Sequence, residues 1–170
     1  MNDTDAGIFN RDIFLSEARD TSLILALAVT VPVLIHLVPA HMSVPWGERL
    51  LPMYYAPFAG IMLMRPRTGF IAGLLAPAVN ALITGNPDTA HIIKLTLELI
   101  CFTGICSLSA ARHKAFRWSA PLSALVTKLL FAAVFGGAVI TSLPGILVLG
   151  VLNYILTLPG HDGNKTEDRL

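Results

Sequence analysis

Residues 21–40 read TSLILALAVTVPVLIHLVPA, twenty positions without a Lys, Arg, Asp or Glu. No other feature limits the fold as tightly. Crossing a bilayer takes roughly 20 apolar helical residues, and each backbone polar group there must be bonded within the segment. Further apolar stretches follow. Residues 68–87 are again twenty long and uncharged, and 89–111 is long enough but contains Lys94 and Glu98. Residues 118–159 are too many for one helix, and the Pro-Gly signal in TSLPG, 141–145, divides them. Residues 50–64 are uncharged but short, bracketed by Pro52 and Pro66. The pattern predicts an all-α integral membrane protein, a six-helix bundle with a short second helix. The spans fall at about 21–39, 50–64, 68–85, 89–111, 119–140 and 144–158, between polar segments 1–20 and 159–170.

Composition agrees. The chain is 54% hydrophobic and 14% charged, against about 25% charged in an ordinary soluble domain. A net charge of +1 without any Lys/Arg-rich run gives nucleic acid nothing to bind. The first twenty residues lack a basic start followed by an apolar run, so no cleavable signal peptide is expected and the first span is retained. Cys101 and Cys106 lie five apart, neither a disulfide framework nor a CxxC pair, and read as buried thiols.

The basic residues orient the spans. With both termini cytoplasmic, the two ends and the turns at 65–67 and 112–117 hold nine of the 12 Lys and Arg, and the outer loops hold only Arg49. That asymmetry follows the positive-inside rule. Omitting the short second helix would put these basic turns on opposite sides. The outer loop at 39–49, with Trp46, is long enough to cover a cavity mouth or to lie at the interface.

With that topology each polar residue has a depth. A charge in hydrocarbon costs at least about 2.5 kcal/mol, so it faces protein or water. His36 falls near the outer end of the first span, Tyr54 at the start of the second, Asn80 in the outer half of the third. His91, Lys94 and Glu98 share one face of the fourth, and Lys128 is near the middle of the fifth. These residues converge on the outer half of the bundle, as in a cavity open to the outside. Two readings of Lys94 and Glu98 stand open. They form an internal ion pair, or a clamp in which Lys94 meets an anionic group and Glu98 a donor. Lys128 pairs with Glu98 or meets substrate. Ser22, Ala26 and Thr30, at four-residue spacing on the first span, allow close helix approach, within the bundle or to a partner. His36, His41 and His91 lack metal-ligand spacing, so neither a metal nor a cofactor is expected. No P-loop, GxSxG or HExxH motif is present, so the chain is not expected to be an enzyme.

Residues 50–87, LLPMYYAPFAGIMLMRPRTGFIAGLLAPAVNALITGNP, carry a resemblance. Leu51-Pro52-Met53-Tyr54 and Pro57 precede Gly60 and a basic turn. The spaced Gly69, Gly73 and Pro77 follow, then Thr84-Gly85 and Pro87. In that order, with a glutamate at 98 in the fourth span, they resemble the substrate-binding S components of energy-coupling factor vitamin transporters. The motifs are densest over 50–98, and the six-span plan extends over 21–158. The resemblance implies a subunit of a bacterial or archaeal cytoplasmic membrane that binds a vitamin-like micronutrient from outside. It also implies a transmembrane coupling subunit, docked on Ser22, Ala26 and Thr30, and two separate ATPase subunits. Tyr54 stands where histidine is common in this subgroup, and Asn86 where the turn often has methionine. No member's substrate is therefore carried over. Two other classes fit the residues as well: a stand-alone permease or proton-coupled carrier, with Glu98 and Lys128 as a charge relay, and a structural or assembly membrane protein with a static ion pair.

Overall fold

The computed structural model describes residues 3–37, 46–84, 89–112 and 118–158, and among these every regular element is helical. In chain order they are α1 (Asp3–His36), α2 (Trp46–Leu50), α3 (Pro52–Ala59), α4 (Pro66–Thr84), α5 (Thr89–Arg112), α6 (Ser119–Phe135) and α7 (Leu143–Leu156). Wider π-type turns over Gly60–Met64 extend α3, and a 3-10 turn over Val139–Ser142 leads into α7.

Four segments are long and apolar enough to cross a membrane: Ile13–Ile35, Pro66–Thr84, Ala90–Ala110 and Val139–Leu156. No more than 39% of any of their windows is buried. Large apolar side chains therefore point outward, among them Leu27 and Leu34 on α1 and Leu147 and Val151 on α7. Apolar surface on that scale marks contact with lipid or protein rather than water.

Several boundaries differ from expectation, each for a local reason. Helix α1 begins at Asp3 instead of residue 21. No proline interrupts residues 3–20, so nothing there stops the helix from continuing ahead of the first apolar run. Pro52 and Pro66 open α3 and α4, where a missing N–H costs nothing. Arg65 before Pro66 is extended, at φ −140° and ψ 148°, as the proline ring demands. Helix α6 stops at Phe135, short of the expected 140. Gly136 and Gly137 adopt φ of 73° and 123°, conformations L side chains rarely take. A Cβ on either would meet nothing within 4 Å, so close packing does not require glycine here. Their role is to end the helix.

Two buried clusters hold the bundle. One joins Tyr54, Phe58, Leu99, Phe102 and Leu149. The other joins α1, α3 and α4 through Ile24, Ala28, Ala56, Ala72 and Ala76, small side chains that let helix backbones approach closely. Gly69 allows the same approach to α3, and Gly73 a close approach to α5: a Cβ at Gly73 would lie 2.9 Å from Thr103 Cγ2. Gly104 has nothing within 4 Å of such a Cβ and sits inside α5. Gly104→Ala is expected to stabilise the protein by about 0.5 kcal/mol, read as a small rise in thermal midpoint.

Asn153 closes a helix end. Its Oδ1 accepts from Ser119 Oγ at 2.9 Å and from the Ala120 backbone N–H at 3.1 Å. The first N–H groups of α6 have no partner within their own helix, and α7 supplies one. Cys106 is fully buried and Cys101 half-buried, both free thiols.

Candidate functional site: a polar-based cavity at one end of the bundle

A cavity of about 730 Å³ opens where α1, α4 and α6 finish and α5 begins. Six side chains singled out from the sequence line it: Tyr54, Asn80, His91, Lys94, Glu98 and Lys128. They come from α3, α4, α5 and α6, so only the folded bundle assembles them. The side chain of His36 and the whole of His41 lie outside the described residues, as does the turn at 85–88.

Of the two ion pairs weighed from the sequence, Lys94–Glu98 within α5 and Lys128–Glu98 between helices, the structure forms the second. Glu98 bonds Lys128 Nζ across the α5–α6 contact at 2.7 Å. Among the described residues Lys94 makes no ion pair. Helical side chains lean toward the N-terminus, and Lys preceding Glu by four is the weaker order. Lys94 instead extends over the Phe135 ring, Nζ 5.9 Å from its centroid, within cation–π range.

The base of the cavity is tightly held. Glu98 is 4% exposed and Tyr54 1%. The Tyr54 ring packs on Phe102, centroids 4.7 Å apart, and Lys128 Nζ stands 5.5 Å from its centroid. The Tyr54 hydroxyl is buried with no hydrogen-bond partner of good geometry among the described residues. Asn80 is also buried, and its backbone carbonyl accepts from Thr84 Oγ1 at 2.7 Å. The walls are apolar: Pro32, Val33, Leu51, Met53 and Phe131.

Sequence reasoning missed these wall residues and the lip formed by Gly136 and Gly137. The proline inside the first span and the Gly-Gly pair were the available signals. Leu51 had no such signal. It joins α2 to α3 in a left-handed conformation, φ 52° and ψ 46°, which for a leucine costs roughly 1–2 kcal/mol. Strain of this kind persists where surrounding contacts over-determine it. Leu51 is buried, its carbonyl accepts from the Tyr54 N–H at 3.0 Å, and the Tyr55 hydroxyl donates to the neighbouring Leu50 carbonyl.

Ser22, Ala26 and Thr30 do not line this cavity. They are exposed along a shallow groove that also meets Val79 and Ile83 of α4. Ile24, Ala28 and Pro32 occupy the buried side of the same helix.

The fold and its cavity define a class: an all-helical protein with the span lengths and outward apolar surface of a multi-pass membrane protein. The chain matches no family model, no curated protein and no solved structure.

Proposed function

We propose that the protein is a substrate-capture subunit for uptake of a small micronutrient, the S component of an energy-coupling factor transporter. One observation carries the reading: six of the seven pocket residues expected from sequence line a single cavity at one end of the bundle. Its volume falls in the usual range for small-molecule sites, and it combines apolar walls with a few polar groups. In this reading α3 with its π-type extension is the short second span and α6 the fifth, giving six crossings with both termini cytoplasmic. The cavity then faces outside. The ion pair between Glu17 and Arg65, 2.8 Å, supports the topology by joining two basic segments assigned to the same side. The coupling subunit docks on the exposed stripe of Ser22, Ala26 and Thr30, and its two ATPase subunits supply the energy. The chain itself does no chemistry.

Purified protein is expected to retain one small molecule per chain in native mass spectrometry. Lys94→Ala is expected to weaken its binding at least about tenfold, the scale of a lost hydrogen bond to a charged group, and Glu98→Ala to weaken it by leaving Lys128 unpaired at the base of the cavity. Unchanged affinity in both variants would remove the cavity from the function.

The buried Glu98–Lys128 pair favours one other reading, a stand-alone proton-coupled carrier with the pair as charge relay. Membrane charges of this kind commonly mark proton pathways. Uptake that needs no ATPase partner and collapses with a protonophore would select the carrier.

A further inference from the structure

We infer that the molecule captured in this cavity is a mono-anion with an apolar body, its acid group held by Lys94. The inference rests on the capture reading above and names the chemical class of what is captured.

Counting Lys and Arg against Asp and Glu, the described lining has two cations, Lys94 and Lys128, and one anion, Glu98. Glu98 is already committed to Lys128 at 2.7 Å. Among the described lining residues, Lys94 is therefore the one Lys or Arg without a carboxylate partner; it is half-buried and faced by a phenylalanine ring at 5.9 Å. An ammonium in a largely apolar cavity gains most from one acid group that completes a charge-assisted hydrogen bond.

The same arrangement rejects other classes. A cationic ligand would meet Lys94 directly and would have to displace Lys128 to reach Glu98. A di-anion would neutralise Lys94 with one group and find no second uncommitted Lys or Arg in the described lining, since Lys128 is held by Glu98. Selectivity by such mismatches is as effective as added attraction. Lys94 lies one turn nearer the start of α5 than Glu98, toward the cavity's end of the bundle. The acid group is therefore held above the base, and the body lies along Pro32, Leu51, Met53 and Phe131. Beneath it the buried Tyr54 hydroxyl lies beside the Glu98 carboxylate, at the polar base of the cavity.

The experiment uses full-length protein purified into lipid nanodiscs. The small molecule it retains is identified by mass spectrometry in both ion polarities. That acid and its methyl ester are then titrated, as paired probes, into emptied wild-type, Lys94→Gln and Lys94→Arg proteins. The expected result is a molecule with one ionised acid group. Wild type should prefer acid to ester by about 10- to 100-fold, Lys94→Gln should lose that preference, and Lys94→Arg should keep most of it. A neutral, cationic or doubly acidic molecule overturns the inference and leaves capture standing. So does an acid preference that survives Lys94→Gln. A protein that retains no small molecule overturns the capture reading and the inference with it.

Discussion

Glu98→Gln is expected to lower stability by about 3 kcal/mol, toward the lower end of what removing one partner of a buried ion pair costs. The substitution keeps the side chain's shape but leaves Lys128 without its acid. Lys128 has a side chain only 18% exposed, and its Nζ is held 2.7 Å from Glu98. The open cavity beside it admits water, and that sets the estimate at the lower end. The decisive measurement is a double-mutant cycle, because removal of a charge and loss of an interaction are separated only that way. Lys128→Met alone strands the Glu98 carboxylate and should also destabilise. The double variant Glu98→Gln, Lys128→Met leaves no buried charge and should recover most of the loss, since hydrophobic or neutral replacements of a whole buried pair are often tolerated. Additive single effects would mean that the two side chains do not act as a pair.

That pair also marks how far the sequence was legible. Long uncharged runs revealed the helices because lipid removes water as a hydrogen-bonding partner, and so leaves few alternatives to a helix. The polar residues inside those runs were conspicuous against that background, and six of them line one cavity. Their pairing was much less legible. Lys94 and Glu98 are neighbours along one helix and invited a local reading. Which cation reaches Glu98 depends on how α5 meets α6, and spacing along a single helix does not encode that packing. The end of α6 was obscured for a different reason. Gly136 and Gly137 are as common in membrane packing as at helix ends, and only their positive φ values distinguish the two uses. Leu51 illustrates a third limit. Nothing in its side chain signals a left-handed backbone, which follows from the junction between α2 and α3.

Gly69→Ala tests the packing beneath the cavity and is expected to destabilise by about 3 kcal/mol, the upper part of the usual range for overpacking. A Cβ at this position would lie 2.4 Å from both the Pro57 carbonyl oxygen and Ile61 Cγ1, and 2.8 Å from the Ile61 backbone nitrogen. Two of those three contacts are with backbone, so a rotamer change at Ile61 cannot relieve them. Helices α3 and α4 must separate, and the cavity spans them, with Tyr54 on one and Asn80 on the other. Substrate affinity should therefore fall along with thermal stability, whereas Gly104→Ala should change neither adversely. Adding Ile61→Ala is the critical comparison. It removes Cγ1 but leaves the Pro57 oxygen and the Ile61 nitrogen in place. It also empties a buried site, and the loss of such a side chain costs about 2–5 kcal/mol by itself. The double variant should consequently be less stable than Gly69→Ala alone. If it proved more stable, the obstruction at residue 69 would be one movable side chain, and the close backbone approach between α3 and α4 would not be what requires glycine there.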